Sequence, residues 1–252
     1  MSVSEIVRIN FGKEMSKLLL VHHRNDLDPR EQPLYTVKEA ASYLGIDPAT
    51  LGTWFFGRRY ATKSEGQKLW NRVIIPADQE LRLLSFFNLA EAHILAATRY
   101  QHKVPFPAVR DAIANLQREF PAHAAHPLLS KDFYTNGSHL FVKELSGTID
   151  ISRQQLSFKR IMNKFIKRVV SDKHDRPFKV FPLAEDEPDD KIISIVSGVS
   201  HSRPVIDGTG IPALAVWRRY KAGEKPEFLA KDYRVRLLKI NRAIDYIERR
   251  AA

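Results

Sequence analysis

The side chains with the clearest chemical potential are cations that follow a short predicted helix in the first third of the chain. Arg58 and Arg59 are adjacent, and Lys63, Lys68 and Arg72 follow them. Guanidinium groups bind phosphate oxygens through paired hydrogen bonds, and such contacts supply most of the affinity for a nucleic-acid backbone. These five cations therefore predict a phosphate-binding surface, although a solvated surface without a ligand would have the same composition.

The residues ahead of these cations have the pattern of a helix-turn-helix. Thr36 and Glu39 form a predicted capping box at the start of one helix, and Gly45 provides the turn that follows. Asp47 then caps a second helix, with Pro48 at its first position. In such a unit the second helix enters the major groove, and the basic segment beyond it is expected to form a wing. The small and hydroxyl side chains predicted to face bases or phosphates are Ala49, Thr50 and Thr53.

The last fifty residues combine a strand-like segment with three predicted helices. Pro204, Gly208 and Pro212 exclude a helix from the first part, so we expect an extended strand that ends in a tight turn at Asp207-Gly208. Beyond Pro212, apolar residues recur at the spacings of amphipathic helices. The breaks between the helices are predicted at Gly223, Pro226 and Asp232-Tyr233. The result is a second unit of helix-turn-helix type.

This C-terminal unit is strongly basic. Between Arg218 and Arg250, eleven lysines and arginines stand against five acidic residues. Its predicted phosphate contacts are Arg218, Arg219 and Lys225, with Lys221 and Arg234 as further candidates. The same pattern also suits a protein-docking platform or a dimer interface, and the sequence leaves these alternatives open.

Several residues of the C-terminal unit together match a family pattern. They are Arg203-Pro204-Val205-Ile206, Gly208-Thr209, Ile211-Pro212, Gly223, Asp232-Tyr233 and Ile240 with Ala243-Ile244. This stretch resembles a small bacterial domain of formerly unknown function that occurs in type II antitoxins of the VapB kind. From residue 35 onward the chain is also similar to the longer members, which place a MerR-like helix-turn-helix and a middle segment ahead of that domain. The resemblance implies an antitoxin whose partner is a PIN-like ribonuclease toxin.

The region between the two units is predicted to contain both helices and strands. Helical periodicity runs from Leu83 to Phe120 with a break at Pro105 and Pro107, which predicts a helical hairpin that could also form a dimer surface. His93 is expected to be a half-buried core residue rather than a metal ligand. The later predicted elements are a strand hairpin within 128–151 that turns at Ser146-Gly147, a basic amphipathic helix from Leu156 to Val169, and strands at 178–181 and 192–196.

No catalytic or metal site is predicted. Ser200, His201 and Asp207 include the residue types of a hydrolase triad, but they lie within eight residues and lack a nucleophile-elbow motif. The acidic run from Glu185 to Asp190 is expected to be an exposed loop, because a Mg²⁺ site uses carboxylates held on rigid elements. We therefore expect a protein that is not an enzyme and that uses no cofactor.

Composition sets the outer bounds. The 252 residues, of which 44% are hydrophobic, suffice for more than one domain, and the formal net charge of +11 favours a polyanionic partner. The absence of cysteine excludes disulfides and thiol catalysis. No apolar run is long enough for a signal peptide or a membrane span, so we expect a cytoplasmic protein without membrane contact.

These observations predict an α+β fold, mainly α, in four parts. They are an N-terminal arm or linker (1–33), a winged, MerR-like helix-turn-helix (34–80), a middle helical hairpin with a small antiparallel sheet (81–190) and a C-terminal three-helix unit of helix-turn-helix type (191–252). The expected function is that of a dimeric antitoxin that binds operator DNA, represses its own operon and neutralises a PIN-like toxin. The alternatives are a MerR-like regulator without a toxin and a protein-interaction scaffold.

Overall fold

Two short helices near the N-terminal end form a helix-turn-helix. A computed structural model describes residues 28–62, 66–100, 106–121, 124–130, 133, 160–183 and 190–251. The short strand β1 (Tyr35–Thr36) leads into α1 (Val37–Leu44), and Gly45 then turns the chain at a φ of 64°. Helix α2 (Pro48–Phe56) follows. Glycine adopts this left-handed conformation without steric cost, which explains its place at the end of α1.

Capping and burial hold this pair of helices together. The hydroxyl oxygen of Thr36 accepts a hydrogen bond from the backbone N–H of Glu39, whose carboxylate accepts one from the backbone N–H of Thr36. The Asp47 carboxylate accepts from the backbone N–H of Thr50 at 2.8 Å. The apolar side chains of α2 and of the turn before it are buried: Ile46, Leu51, Trp54 and Phe55. Both helix starts are as the sequence predicts.

An antiparallel ribbon comes directly after α2. Its strands are β2 (Arg58–Thr62) and β3 (Gly66–Trp70). The backbone N–H groups of Val73 and Ile74 then both donate to the carbonyl oxygen of Trp54, at 2.7 and 3.1 Å. This ribbon is the predicted wing, and these two hydrogen bonds tie its exit to the end of α2.

Helix α3 lies at the centre of the larger of two hydrophobic cores. It spans Phe86–Ala96, all of whose residues are buried, and it follows the short strand β4 (Leu83–Leu84), which pairs with β1. Helix α4 (Phe106–Glu119) buries its apolar side in the same core, and so do Met162 and Phe165 of the helical residues 160–166. The core therefore extends from the helix-turn-helix through the middle of the chain.

A four-stranded antiparallel sheet joins the middle of the chain to its C-terminal unit. The strands follow one another in sequence order: β5 (Val169–Ser171), β6 (Pro177–Val180), β7 (Ile193–Val196) and β8 (Pro204–Ile206). Ile195 of β7 belongs to the larger core, whereas Ile193 of the same strand belongs to the second core. The sheet thus contributes to both cores.

Three helices build the second core, as predicted. After the turn at Gly208, whose φ is 75°, the chain forms α5 (Ala213–Lys221), α6 (Pro226–Asp232) and α7 (Leu237–Ala251). Their fully or nearly buried apolar side chains are Ala213, Val216, Leu229, Ile240, Ala243, Ile244 and Tyr246. Together with the N-terminal helices and small sheets, they give the predicted α+β fold with mainly helical structure.

Direct hydrogen bonds join the two helical units. The hydroxyl group of Tyr246 on α7 donates to the carbonyl oxygen of Tyr43 on α1 at 2.6 Å, and Nε of Arg250 donates to the same oxygen at 3.1 Å. The hydroxyl group of Tyr35 donates to the carbonyl oxygen of Ser202 at 2.8 Å. Among the described helices, none combines the length and apolar character needed to cross a bilayer.

The structure corrects three of the predicted features. Val169 is not the last residue of a helix, because it starts β5 and pairs with Val180. Leu128, predicted to begin a strand hairpin, lies in the 3-10 turn Pro127–Leu129. His93 is fully buried rather than half-buried, because α3 is covered on all sides.

Part of the predicted linker is docked onto the fold. Arg30 forms ion pairs with Asp28 at 2.6 Å and with Asp172 at 2.7 Å, and Arg176 pairs with Asp28 at 2.8 Å. Residues 28–31 are therefore fixed to the segment that joins β5 and β6. The predictions for residues 1–27, Lys63, the hairpin turn at Ser146-Gly147, the start of the basic helix and the acidic residues 185–189 lie outside the described residues.

Candidate nucleic-acid interface

The outer side of α2 is open to solvent. Asp47, Pro48 and Ala49 at its start are exposed, and Thr50 and Thr53 are half-exposed, whereas the opposite side of the helix is buried. A helix of this type can approach a duplex only if its outer side carries small residues and is free of the protein's own core. The structure leaves the face bearing Thr50 and Thr53 accessible.

The hydroxyl hydrogens of both threonines are used within the helix. Thr50 Oγ1 donates to the Asp47 carboxylate at 3.2 Å, and Thr53 Oγ1 donates to the carbonyl oxygen of Ala49 at 2.8 Å. Their oxygen lone pairs remain available as acceptors. In this conformation the two threonines can accept hydrogen bonds from base amino groups, but they can donate to phosphate only after the hydroxyl groups rotate.

The cations predicted for the wing occupy different surroundings. Arg58 begins β2, is exposed, and forms no ion pair with an acidic residue of the described part of the chain. Arg59 lies in β2 and Lys68 in β3, so the backbone places both in the ribbon. Arg72 is exposed just beyond the ribbon, where its Nη1 donates to the side-chain oxygen of Gln79 at 2.8 Å. The ribbon therefore brings Arg58, Arg59 and Lys68 next to the end of α2.

Arg82 is a further cation beside α2 that sequence reasoning missed. Its guanidinium carbon lies 4.1 Å from the centre of the Phe56 ring, and a Cβ placed on Gly52 would lie 4.0 Å from its Nη2. Arg82 is exposed and forms no ion pair with an acid in the described ranges. It lies outside the predicted wing, and no periodic pattern marks it, because its proximity to α2 depends on the pairing of β4 with β1.

The predicted phosphate contacts of the C-terminal unit divide into two kinds. Arg219 is held by two acids of its own unit, with Glu224 and Asp232 each at 2.5 Å, and it stacks on Tyr233. The Arg219 guanidinium lowers the pKa of Glu224 below its ordinary value. Arg218 and Lys225, in contrast, are exposed and have no ion pair with the described acids. Arg219 thus stabilises the turn between α5 and α6, and Arg218 and Lys225 remain open for a partner.

A groove of about 820 Å³ runs along the joint between the two units. Its walls come from the end of α1, the segment 200–204, α5 and the last part of α7. Apolar side chains and four arginines line it: Leu214, Trp217, Ile247, Arg203, Arg218, Arg219 and Arg250. None of the described residues that line this groove is Asp or Glu. We call it the interunit groove.

The buried carboxyl and imidazole groups of the described residues, those of Glu91 and His93, lie on α3 in the larger core. Burial raises the pKa of the Glu91 carboxyl, and His126 Nδ1 lies 3.0 Å from that carboxyl. Burial opposes the charge of His126, but the Glu91 carboxylate outweighs it and raises the pKa of His126. Burial, assisted by the nearby charge of Arg168, lowers the pKa of His93 to about 3. The described part of the chain contains no cluster of three or more His, Asp or Glu side chains placed to hold a metal ion.

Two family models match the chain. One is described as "Putative DNA-binding HTH domain" and matches residues 33–113, which include α1, α2, the ribbon and α3. The other is described as "Protein of unknown function (DUF433)" and matches residues 193–247, which include β7, β8, α5, α6 and most of α7. The two matches cover the two sides of the interunit groove.

Comparison with individual proteins extends this similarity over most of the chain. A protein of Mycobacterium tuberculosis named "Putative antitoxin VapB45" is 28% identical, over 85% of this chain and 94% of its own length. The X-ray crystal structure of Rv2018 from Mycobacterium tuberculosis shares the fold, with a TM-score of 0.59 and 21% identity over 84% of this chain and 97% of that chain. The matches to a helix-turn-helix model and to the DUF433 model, together with this relative, make the chain similar to a VapB-type antitoxin over most of its length.

Proposed function

We propose that this protein is a DNA-binding antitoxin that represses its own operon through the N-terminal helix-turn-helix. The observation that carries the proposal is the combination of an outward-facing α2 with cations at its end that have no ion pair with the acids of the described ranges. Arg58 begins the wing two residues after the end of α2, and Arg82 lies over Phe56, the last residue of that helix. Phosphate contacts of this kind position a recognition helix over the bases, which its small side chains then approach.

The residues of the proposed DNA interface have different roles, and they are not expected to contribute equally to affinity. Arg58, Arg59, Lys63, Lys68, Arg72 and Arg82 are assigned to phosphates, and Thr50 and Thr53 to base edges. Arg218 and Lys225 are secondary phosphate contacts, and Arg219 ranks below them because two acids already hold its guanidinium. A dimer suits this role, since a two-fold axis in the protein matches two half-sites in an operator.

The second part of the proposal is neutralisation of a PIN-like ribonuclease toxin in the cytoplasm. It is supported by the relative named "Putative antitoxin VapB45", which the chain matches over most of its length. The homologies suggest a regulator rather than an enzyme, so the protein would act by binding and occluding the toxin. The C-terminal unit is the natural surface for this task if α2 and the wing are occupied by DNA.

A gel-shift titration of the protein on its own promoter tests the DNA-binding half. If each of the six cations assigned to phosphates makes one contact, affinity should fall at least roughly 1000-fold between about 50 and 200 mM salt. An unrelated duplex of equal length should bind more weakly at the higher salt concentration. Equal affinity for both duplexes, or binding that does not depend on salt, would exclude operator recognition.

Co-expression tests the toxin half. A neighbouring gene that encodes a small nuclease with the acidic residues of a PIN-like enzyme would be expressed with and without this protein. We expect the two proteins to copurify in a fixed ratio and the nuclease activity to be suppressed. If DNA binding is present but no such nuclease copurifies, the protein is a MerR-like regulator without a toxin.

A further inference from the structure

The interunit groove has the chemistry of a peptide-binding surface. Its floor is formed by Leu214, Trp217 and Ile247, and Leu214 is 36% exposed although it is a large apolar residue. The indole N–H of Trp217 is shielded from solvent and has no hydrogen-bond partner within the described ranges. The lining thus exposes a large apolar side chain to solvent, which an apolar side chain of a bound peptide would cover.

The charge at the groove is positive. Arg203 and Arg218 line it, are exposed, and form no ion pair with an acid of the described residues. Arg250 is stacked on Tyr246 with its guanidinium carbon 3.7 Å from the ring centre. The acids that neutralise Arg219, namely Glu224 and Asp232, do not belong to the lining. An acidic occupant would therefore meet at least two cations without a competing carboxylate.

One wall of the groove is a strained backbone segment that the fold holds in place. Ser200, His201 and Ser202 have φ values of 48°, 55° and 54°, a left-handed conformation that is unfavourable for residues other than glycine. The Ser202 carbonyl oxygen accepts from the Tyr35 hydroxyl group at 2.8 Å, and the Ser200 hydroxyl group donates to the Gly210 carbonyl oxygen at 2.9 Å. Such strain is retained where the surrounding structure enforces it, often at binding surfaces.

We propose that the interunit groove binds an acidic segment of a protein partner, which places large apolar side chains on the floor and carboxylates against Arg203 and Arg218. The interunit groove would then be the surface that binds the toxin, and the identity of the partner as a PIN-like toxin rests on the proposed function. A protein segment fits better than a DNA duplex, because the cations of the lining are combined with large apolar side chains, and an apolar side chain makes no contact with phosphate oxygens. The apolar floor also has no role in phosphate binding.

Both helical units contribute residues to the lining of the interunit groove. Tyr43, at the end of α1, belongs to the lining and accepts hydrogen bonds from Tyr246 and Arg250. An occupant therefore touches the helix-turn-helix and the C-terminal unit at the same time. It leaves the outer side of α2 free, so the same molecule can hold DNA through α2 and the wing while Arg218 contacts the protein partner instead of a phosphate.

Peptide titrations on the full-length protein test the proposal. The probe is a fluorescein-labelled peptide of about twelve residues that alternates Glu with Leu and Phe. Two matched peptides carry Lys in place of Glu or Ser in place of Leu and Phe. Trp54→Phe with Trp70→Phe leaves Trp217 as the only tryptophan, since the chain has three. We expect saturable binding of the acidic apolar peptide alone, with a change in Trp217 emission.

Charge reversal supplies the matched control. Arg203→Glu with Arg218→Glu should weaken peptide binding at least roughly tenfold, because two charge-assisted hydrogen bonds are lost. Lys231→Glu with Arg236→Glu changes two exposed cations of the same unit outside the lining and should alter binding less than about twofold. Leu214→Asp offers a second variant, which places a carboxylate on the floor and should abolish binding without disturbing a buried residue.

The other outcomes overturn the proposal. Equal binding of the Lys peptide or of the Ser peptide would show that charge or apolar character plays no part. Binding of a single-stranded oligonucleotide in place of the acidic peptide, with the same loss in the Arg203 and Arg218 variant, would make the groove a nucleic-acid surface. A change of oligomeric state on mutating these arginines, without peptide binding, would make it a self-association interface.

Failure of this inference is distinguishable from failure of the proposed function. If a PIN-like toxin copurifies equally well with wild type and with the Leu214→Asp variant, the antitoxin function stands and the groove is not the toxin surface. If the acidic apolar peptide binds as expected but no PIN-like toxin copurifies, the groove assignment stands and the toxin half of the function fails. Promoter gel shifts of the same proteins report separately on DNA binding.

Discussion

The two helical units of this chain differ in how far their cations are already paired with acidic side chains of the protein. In the N-terminal unit, Arg58 and Arg82 beside α2 have no ion pair with the described acids. In the C-terminal unit, several cations are paired internally, among them Arg219 with Glu224 and Asp232, and Lys221 with Glu248 at 3.4 Å. The number of cations in the C-terminal sequence therefore overstates how many of them a polyanion could contact.

The two units differ because acidic side chains of the described residues lie close to the cations of the C-terminal unit but not to those at the end of α2. The turn after α5 contains Glu224, five residues after Arg219, and α6 brings Asp232 to the same guanidinium. At the end of α2 the chain instead enters a ribbon that begins with Arg58 and Arg59. A helix-turn-helix whose cations are neutralised by its own turn is suited to hold a fold together. One whose cations lie on a wing is suited to bind phosphate.

The largest expected effect comes from breaking each core separately. Leu51 and Leu229 are both fully buried, one in each core. Leu51→Ala and Leu229→Ala should each reduce the free energy of unfolding by roughly 2 to 5 kcal/mol, because each removes buried methyl groups and leaves a cavity. Denaturant unfolding measures the cost, and amide hydrogen exchange shows which unit opens. Leu51→Ala should abolish promoter binding.

The same pair of variants tests whether the units are separable. Leu229→Ala should leave promoter binding nearly unchanged in its folded fraction and remove binding of the acidic peptide to the interunit groove. If both variants lose promoter and peptide binding together, the sheet that contributes to both cores makes them one cooperative unit. The two units would then differ in the charge of their surfaces but not in their stability.

Charge reversal on the two units gives the next largest effect. Arg58→Glu with Arg59→Glu should weaken promoter binding roughly 100-fold at about 0.1 M salt and lower the salt slope by about 2, because two phosphate contacts are lost. Gel shifts at several salt concentrations measure both quantities. Loss of affinity should be similar for specific and unrelated duplexes, since phosphates carry no sequence information.

Arg218→Glu with Lys225→Glu is the matched control on the C-terminal unit. It reverses the same number of cations and should weaken promoter binding less than about fivefold, because these contacts are secondary in the proposal. A loss as large as that of the wing variant would place the C-terminal unit on the duplex. Unchanged affinity in the wing variant would remove the wing from the interface.

A fall in pH should also destabilise the larger core more than the second core. Among the described residues, the larger core contains the buried His93 and the second core contains no buried ionisable side chain other than Tyr246. The pKa of His93 is lowered from 6.5 to about 3 in the folded protein. Below pH 6.5 the unfolded chain binds a proton that the folded chain excludes, so this contribution to stability is complete above pH 6.5 and is lost as the pH falls.

The variant His93→Leu isolates this contribution. Between about pH 6.5 and 4.5, wild type should lose about 1.4 kcal/mol of stability per pH unit relative to the variant. Glu91 and His126, whose raised pKa values act in the opposite direction, are present in both proteins. Urea unfolding at three pH values gives the difference, and the exposed His174→Gln is the control, which should parallel wild type. Parallel curves for all three proteins would show that His93 is protonated in the fold.

Features decided by near neighbours were predictable from the sequence. The capping box of Thr36 and Glu39, the cap at Asp47 and the turn at Gly208 each depend on residues within a few positions. The strand observed as Ile193–Val196 was predicted at 192–196 for the same reason, since its apolar run is bounded by polar residues. Both helical units could therefore be located before the structure was known.

Features decided by distant residues were not predictable. Arg30 and Asp172 are 142 residues apart in the sequence, and Tyr246 and Tyr43 are 203 residues apart. The interunit groove depends on the second of these contacts. The helical stripe predicted through Val169 failed for the same reason, because pairing with β6 converts the end of the stripe to a strand. Ion pairing across turns likewise decides which of the predicted cations are free.

The smallest expected effect concerns sequence discrimination by α2. Thr50→Ala and Thr53→Ala should each change the ratio of specific to unrelated binding by about three- to tenfold, since a single hydroxyl acceptor contributes less than a bidentate base contact. Overall stability should change little for Thr53→Ala, because its hydroxyl group donates to the Ala49 carbonyl within the helix and that oxygen has other partners available in solvent. Thr50→Ala retains the backbone N–H that Asp47 caps.

Competition gel shifts against promoter duplexes substituted one base pair at a time measure the preference. If both variants keep the wild-type preference at every position while the wing variant loses affinity, the wing holds the duplex without α2 reading it, and specificity must come from the shape of the DNA.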